Sequence, residues 1–375
     1  MMPAMLESLD TPALLLDAVK LDANCRRMRE RLLPHAVLLR PHVKTAKNVD
    51  VARCALDAAD GPITVSTLRE AEYFFDHGFR DMLYAVGMVP HKVERLASLV
   101  RRGARITTIV DSVEAARALG TAASKAGVLL PALIEIDSDG HRAGIEPGDK
   151  RLLDVAEALG DGLRGVMTHA GDSYNCETPQ AIRAVAARER EAVVASAAAI
   201  RASGRECPVV SVGSTPTATF AESFAGVTEV RTGVYVFHDL VMAGLGVCQL
   251  GDIAISVLGT VIGHQREKNW ILADAGWMAM SGDRGTAKQK VDQGYGLVCD
   301  ARGEPIGDLI VADANQEHGI IARRDGGSID FDRFPIGSLV RILPNHACAT
   351  AAQHAEYQVI RDGRVAETWE RFSGW

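Results

Sequence analysis

The 375-residue sequence lacks an excess of basic residues, an apolar run of membrane-spanning length and a regular spacing of its cysteines. Its net charge of −7 argues against a general nucleic-acid-binding protein, because neutralising phosphates requires a basic face. Without a run of about 20 apolar residues, the chain is not expected to enter a membrane. Small-molecule chemistry is therefore the better expectation, in a protein without nucleic-acid or membrane partners.

The first ten residues lack the basic segment and the following apolar segment of a secretory signal peptide. The cysteines are odd in number and follow no framework spacing, which suits reduced thiols in a cytosol. They are Cys25, Cys54, Cys176, Cys207, Cys248, Cys299 and Cys348. We therefore expect a cytoplasmic protein.

A hydrophobic fraction of 47% and a charged fraction of 24% are ordinary for a globular protein. From residue 37 onward, eight apolar, strand-like runs alternate with segments of helical periodicity such as 113–125 and 179–202. The runs are 37–39, 63–67, 82–86, 106–110, 132–136, 165–168, 209–212 and 230–237. Eight such units over about 200 residues predict an α/β fold, a (β/α)8 TIM barrel, with a doubly wound open sheet as the alternative.

The pattern changes after residue 250, where short apolar runs are separated by Gly, Asp, Asn and Pro. Many short strands with turn residues between them predict a C-terminal mainly-β domain. The apolar segment 12–16 has no partner in the barrel and is expected to pair in that domain. The predicted domains are a barrel at 20–250 and a β-domain made of 1–19 and 251–375.

Lys44 follows the first barrel run, and the carboxyl ends of barrel strands are where active-site residues lie. Burying an ammonium group is costly, so a lysine at the end of an interior strand is expected to be paired or chemically reactive. The alternative is a solvated lysine just beyond the strand. Lys47 is expected to lie in the following helix and to point away.

Gly213, Ser214 and Thr215 follow the seventh run. Backbone N–H groups and hydroxyls in such a loop can bind phosphate, and the loops after strands seven and eight are the usual phosphate site of a barrel. Gly233 and Tyr235, in the eighth run, are placed to complete it. The alternative is a simple turn.

His346 and Cys348 form a second candidate site near the C-terminus. In an extended segment, residues two apart face the same side, so both side chains could bind one ion. Histidine and cysteine together suit Zn²⁺ better than Mg²⁺ or Ca²⁺, and a site with only two protein ligands leaves positions open for substrate. The alternative is a buried cysteine beside an unrelated histidine.

Five motifs together resemble the fold type III, alanine-racemase-like, pyridoxal phosphate family. The similarity is to its metal-dependent branch of D-serine dehydratases, D-threo-3-hydroxyaspartate dehydratases and D-threonine aldolases. The motifs are PHVKT at 41–45, EID at 135–137 with HRAG at 141–144, GSTP at 213–216, DAG at 274–276 and PNHAC at 344–348. The resemblance covers nearly the whole chain and implies the same barrel and β-domain.

The resemblance also implies roles for the matched residues. Lys44 would bind pyridoxal 5′-phosphate covalently and the Gly-Ser-Thr loop would hold its phosphate. Arg142 would contact the cofactor's O3′ or a carboxylate, and His169 and Tyr174 would lie at its ring and rim. From the residues alone, Arg142 could instead be a salt-bridge partner of Asp137, and the two aromatic residues could be rim packing.

Cys348 separates the activities of this branch, because the aldolases typically carry Asp at the matching position and the dehydratases carry Cys. The predicted function is a zinc-dependent dehydratase that eliminates water from a D-3-hydroxy amino acid, either D-threo-3-hydroxyaspartate or D-serine. Other divalent ions such as Mn²⁺ could replace zinc. The alternatives are a metal-dependent D-threonine aldolase and a non-catalytic pyridoxal-phosphate-binding protein, and the family's usual state predicts a homodimer.

Overall fold

The computed structural model of the protein describes residues 5–140 and 142–375. His141 of the HRAG motif lies outside the described residues, as do residues 1–4 of the predicted β-domain. Two compact units form, one of Arg26–Gly233 with Gly374–Trp375, the other of the residues up to Cys25 with Val234–Ser373. The boundaries at residues 26 and 233 fall inside the range 20–250 that the sequence predicts for the barrel.

The first regular elements are a short strand and a long helix, β1 (Ala13–Asp17) and α1 (Ala18–Leu32). The strands of the barrel unit are β2 (Leu38–Leu39), β3 (Pro62–Val65), β4 (Asp81–Tyr84), β5 (Arg105–Val110), β6 (Ala132–Glu135), β7 (Leu163–Met167), β8 (Val209–Val212) and β9 (Glu229–Val230). All their pairings are parallel, in the order β2-β9-β8-β7-β6-β5-β4-β3.

The two ends of this sheet meet beyond β2. His42 forms a parallel bridge with Thr64 of β3, and the Val43 N–H donates to the Thr64 carbonyl at 3.0 Å. The sheet therefore curls into a nearly closed eight-stranded barrel. The predicted barrel is confirmed, and the open doubly wound sheet does not form.

Helices follow most of the strands, as a barrel requires. They are α2 (Val49–Leu56), α3 (Leu68–Asp76), α4 (Val93–Arg101), α5 (Val113–Lys125), α6 (Arg151–Leu159), α7 (Pro179–Ala202) and α8 (Thr215–Phe220). Five of them begin after a residue whose side-chain oxygen accepts a backbone N–H of the first turn, which satisfies an otherwise unpaired donor. These caps are Asn48, Thr67, Ser112, Thr178 and Ser214.

The second unit is mainly antiparallel sheet. Its other helices are α9 (Leu240–Gly244), α10 (Trp277–Met280) and α11 (Ala347–Ala351). Its strands are β10 (Ile255–Gln265), β11 (Trp270–Ala273), β12 (Gly296–Cys299), β13 (Pro305–Ala314), β14 (Gly319–Arg323), β15 (Leu339–Pro344), β16 (Glu356–Arg361) and β17 (Arg364–Glu370). With β1 they form one nine-stranded sheet, in the order β11-β14-β13-β12-β15-β10-β1-β16-β17.

The N-terminal strand lies well inside this sheet, antiparallel to β10 and parallel to β16. Leu14, Leu15 and Leu16 are buried there, and Leu15 packs with Leu258 and Ile360. The prediction that the segment pairs in the β-domain is confirmed. Across residues 5–140 and 142–375, none of the helices combines the length and the hydrophobicity needed to span a bilayer.

The eighth predicted run, 230–237, is only partly a strand. β9 ends at Val230, and Val234–Val236 form a 3₁₀ turn that belongs to the second unit. The residues of that turn are buried, so their apolar character reflects burial without β-structure.

Candidate active site

Lys44 lies in a turn just past the bridge that closes the barrel. Its side chain is exposed, as in the alternative of a solvated lysine just beyond the strand, and the reactivity of the amine stays a prediction. In the described part of the chain, no hydrogen bond or ion pair holds the Nζ atom of Lys44. Burial lowers the pKa values of His42 and His169, and the nearby charge of Lys44 lowers them further.

Lys47 behaves differently from the prediction. It precedes α2, with a left-handed φ of 47°, and its Nζ lies 3.4 Å from an oxygen of Glu70, a fully buried carboxylate. The other Glu70 oxygen accepts the Ser66 N–H at 2.6 Å, and the Ser66 hydroxyl lies 3.3 Å from Nε2 of His42. Lys47 therefore supports the turn around Lys44, and the amine of Lys47 is paired with Glu70.

His169 follows β7, and its Nδ1 atom lies 2.6 Å from the carbonyl of Gly213, after β8. Because a carbonyl only accepts, Nδ1 carries the proton and Nε2 keeps its lone pair. Burial, reinforced by the positive charges of Lys44 and Arg231, lowers the pKa of His169 to about 3 despite this hydrogen bond. The ring is therefore neutral at physiological pH.

The Gly213–Thr215 loop is well ordered by internal hydrogen bonds. The buried Ser214 hydroxyl caps α8 and lies 2.9 Å from both the Ser173 and the Thr217 hydroxyls. A Cβ at Gly213 would overlap the carbonyl of Arg231, so glycine is required here by the close approach of two strands. The loop brings buried hydroxyls to the same rim as His169.

Gly233 lies against the turn that carries Lys44. A Cβ there would come within 2.9 Å of the His42 carbonyl and 3.0 Å of the Thr45 hydroxyl. The structure thus places Gly233 beside the lysine turn. Tyr235 is buried in the 3₁₀ turn of the second unit and not in the predicted eighth strand.

Arg142 and Tyr174 complete the predicted rim. Arg142 is 61% exposed, and its guanidinium lies 3.5 Å from the carboxylate of Glu135, so its salt-bridge partner is Glu135 and not Asp137. The ring of Tyr174 is centred 6.3 Å from that of His169. Arg142 and His169 line the same small cavity, so all three residues lie around the same rim.

One buried residue of this region was missed in the sequence. Glu189 of α7 is 2% exposed, and its Oε1 accepts the N–H groups of Ala170 at 3.2 Å and Gly213 at 3.0 Å. Burial raises the pKa of this carboxylate, and the hydrogen bonds that it accepts oppose that rise. The stretch Arg188–Glu191 resembles a solvated charged face, but position 189 continues the apolar face of Ile182, Val185, Ala186 and Val193.

His346 and Cys348 come together in the second unit by a geometry other than the predicted one. β15 ends at Pro344, His346 is the cap of α11, and Cys348 lies in the first turn of that helix. Their side chains are within hydrogen-bonding reach of each other. The extended segment predicted from the sequence is therefore wrong, although the two side chains do converge.

Asp283 orients the imidazole of His346. Its Oδ2 atom lies 2.7 Å from Nδ1 of His346, so this carboxylate fixes the orientation of the ring. Burial opposes protonation of His346, but hydrogen bonds to Asp283 and Cys348 prevail and raise its pKa to about 11. Among residues 5–140 and 142–375, no group of three or more His, Cys, Asp or Glu side chains is arranged to hold a metal ion, so the pair stands as a two-residue donor set.

A nearly closed (β/α)8 barrel with polar groups at one rim, joined to a mainly-β unit that takes in the N-terminal strand, defines an alanine-racemase-like fold. The chain belongs to that family: residues 16–240 match the alanine racemase N-terminal domain, and residues 254–360 match the putative serine dehydratase domain.

Full-length relatives carry the comparison further. The chain is 52% identical to a D-threo-3-hydroxyaspartate dehydratase of Delftia sp. (strain HT23), over 98% of both chains. It is 32% identical to a D-serine dehydratase of Dictyostelium discoideum, over 99% of this chain and 98% of the relative. A D-threonine aldolase of Arthrobacter sp is more distant, at 28% identity over 97% of this chain and 93% of the relative.

A solved structure of a D-threo-3-hydroxyaspartate dehydratase is also similar to this chain. It is a cysteine-to-alanine mutant of a D-threo-3-hydroxyaspartate dehydratase in the metal-free form, 52% identical to this chain. The TM-score is 0.97, covering 99% of this chain and 100% of the other.

Proposed function

We propose that this protein is a pyridoxal-phosphate- and zinc-dependent D-3-hydroxy amino acid dehydratase that releases a keto acid and ammonia, with D-threo-3-hydroxyaspartate as its preferred substrate. The observation that carries the proposal is the 52% identity to a D-threo-3-hydroxyaspartate dehydratase over nearly the whole of both chains. The presence of Cys348, and not Asp, in the PNHAC motif supports a dehydratase.

The barrel rim suits an anionic aldehyde cofactor. The amine of Lys44 is exposed, Lys44 and Arg142 contribute positive charge, and the neutral ring of His169 lies beside them. Pyridoxal phosphate, when bound, supplies an aldehyde for amines and a ring that accepts electrons from the α-carbon. We assign its covalent attachment to Lys44 and its phosphate to Gly213, Ser214 and Thr215.

Further contacts to the cofactor are assigned to Arg142, His169, Tyr174, Gly233 and Tyr235. With Nδ1–H committed to Gly213, His169 can pack on the ring or accept at Nε2, but it adds no charge. The guanidinium of Arg142 is 61% exposed, but the Glu135 carboxylate that it contacts at 3.5 Å is only 10% exposed, so a move of Arg142 onto the cofactor would cost Glu135 a partner. Lys44 would hold the cofactor, and the Nζ atom of Lys44, when not attached to it, would accept the proton of the substrate α-carbon.

Loss of the β-hydroxyl group of the substrate requires catalysis of its own, because hydroxide is a poor leaving group. His346 and Cys348 are the proposed zinc ligands, and their nitrogen and sulfur donors suit Zn²⁺. The Asp283 carboxylate on Nδ1 is the usual second partner of a metal-bound histidine. Zn²⁺ supplies a Lewis acid for the β-hydroxyl of the substrate. Mn²⁺ could replace it.

The alternative is a metal-dependent D-threonine aldolase, which the 28% identity to the D-threonine aldolase of Arthrobacter sp supports. In that reaction a base removes the β-hydroxyl proton, and the carbon–carbon bond breaks to give glycine and an aldehyde. A non-catalytic pyridoxal-phosphate-binding protein is a weaker alternative, because it leaves His346 and Cys348 without a role.

Product analysis distinguishes these reactions. Purified protein with pyridoxal phosphate and Zn²⁺ is assayed for ammonia, keto acid and glycine with D-threo-3-hydroxyaspartate, D-serine and D-threonine. We expect ammonia and keto acid in equal amounts, with the highest kcat/KM for D-threo-3-hydroxyaspartate. Glycine and aldehyde without ammonia would overturn the proposal in favour of the aldolase.

We further propose that the protein is a cytoplasmic homodimer.

A further inference from the structure

Two loops of the barrel rim are joined by one buried side chain. The loop after β7 carries His169 and Ala170, and the loop after β8 carries Gly213 and Ser214. A single oxygen of Glu189 accepts a backbone N–H from each loop, from Ala170 at 3.2 Å and from Gly213 at 3.0 Å. Each bonded amide is next in sequence to a residue assigned to the cofactor.

Both backbone polar groups of Gly213 are hydrogen-bonded to side chains. Its N–H donates to Glu189, and the carbonyl of the same residue accepts from Nδ1 of His169 at 2.6 Å. A shift of Gly213 would therefore tilt the His169 ring and move the Ser214 hydroxyl together. The hydroxyl of Thr217, in the first turn of α8, lies 2.9 Å from that of Ser214, which ties the loop to the start of this helix.

The surroundings favour a rigid contact over a fluctuating one. Glu189 is 2% exposed, and burial raises its pKa, whereas the hydrogen bonds that it accepts and the charge of the buried Arg231 oppose that rise. A buried carboxylate that accepts several hydrogen bonds is costly to displace, because each donor would lose its partner away from water. A residue used only for helix packing at this position would be apolar, like its neighbours Val185 and Val193.

We propose that Glu189 is a positioning residue, a clamp that sets the His169 ring and the Ser214 hydroxyl in place for an anionic aldehyde cofactor. Glu189 acts through the two loops and does not itself touch the cofactor. The cofactor part of this inference rests on the proposed function, whereas the clamp itself does not.

The test compares three variants of the full chain. Glu189→Ala removes the clamp. Glu189→Gln keeps an oxygen that can accept both amides. Val193→Ala is the matched control, because it shortens a fully buried apolar side chain one turn further along α7 that can make no hydrogen bond to either loop. Two measurements are made on each: amide hydrogen exchange of residues 168–175 and 209–218, and the Kd for pyridoxal phosphate.

For Glu189→Ala we expect faster exchange in both segments and a Kd raised on the order of tenfold or more, because small misplacements of binding groups are costly. For Glu189→Gln and Val193→Ala, exchange in the two segments and the Kd should stay close to the wild-type values. Wild-type exchange and Kd in Glu189→Gln would show that the hydrogen-bonding oxygen matters. A general loss of stability would instead change the same two quantities in Val193→Ala as well.

Unchanged exchange and Kd in Glu189→Ala would overturn the clamp, as would the same local changes in Val193→Ala. If Glu189→Ala does not fold, Glu189→Asp takes its place. Its carboxylate is one methylene shorter and cannot reach both amides, so the same local changes are expected and their absence counts against the clamp. Wild-type protein that binds no pyridoxal phosphate would refute the proposed function, while the exchange measurement would still decide the clamp.

Discussion

The contact between Asp283 and His346 offers a sharp test of the metal assignment. The Asp283→Asn substitution keeps the shape of the side chain and removes its charge. The 2.7 Å contact is a hydrogen bond to a charged acceptor, which contributes about 1.5–3 kcal/mol, against about 0.5–1.5 kcal/mol for a neutral one. His346 correspondingly lowers the pKa of Asp283, first through this hydrogen bond.

The difference of about 1–1.5 kcal/mol corresponds to a factor on the order of ten in an equilibrium constant. We therefore expect Asp283→Asn to weaken zinc binding about tenfold, since the amide no longer enhances the basicity of the imidazole. Affinity is measured by competition with a chromophoric zinc indicator. The Kd for pyridoxal phosphate, measured on the same samples, should not change.

Asp325→Asn is the control for this experiment. Asp325 is also a carboxylate of the second unit with a charged partner, Arg323, at 2.8 Å, but it has no contact with His346. The zinc affinity of Asp325→Asn should match that of the wild-type protein. Equal affinities for wild type and Asp283→Asn would refute the role of Asp283, and an equal loss in both variants would show that the effect is not specific to the metal pair.

Three further predictions follow from the same geometry. Lys44→Ala should abolish the adduct that borohydride fixes with pyridoxal phosphate, whereas Lys47→Ala should keep it; the opposite result would reassign the lysine. His346→Ala or chelation should leave pyridoxal phosphate binding and α-proton exchange into D₂O largely intact but slow elimination on the order of 10³-fold, with Cys348→Asp milder and shifted towards Mn²⁺. Zinc-free enzyme that eliminates water at the original rate would contradict this role. The free energy of unfolding should fall as pH falls from 6.5 towards about 3, because the unfolded chain binds a proton that folded His169 does not. Urea titrations should show a shallower fall for His169→Asn, and an identical fall would contradict the low pKa.

Much of the barrel could be predicted because local signals agree with the fold. The bounds of β8, α5 and α7 match the predicted segments 209–212, 113–125 and 179–202. In the two helices the capping residues Ser112 and Thr178 coincide with the start of a helical apolar pattern, so propensity and periodicity give the same boundary.

The failures have a common physical origin, which is that burial and hydrogen bonding over long sequence distances are not visible locally. Residues 234–236 are apolar because they are buried, yet they form a 3₁₀ turn. Glu189 is one of four charged residues in a row, and only its three-dimensional partners distinguish it from a surface residue. Cys348 was assigned to extended chain because a five-residue helix such as α11 has too few residues to show a period.

The position of β1 inside the nine-stranded sheet affects how the protein can be synthesised. Leu14 to Leu16 pair with residues 255–257 on one side, and Leu15 to Asp17 pair with residues 358–360 on the other. On a ribosome, this strand emerges before the barrel, yet both of its neighbours are made after it. The three leucines that are buried in the folded protein therefore stay exposed in the nascent chain until nearly all of it has been translated. Fragments that stop before β16 leave one edge of β1 open, and such unpaired apolar edges are sites of aggregation.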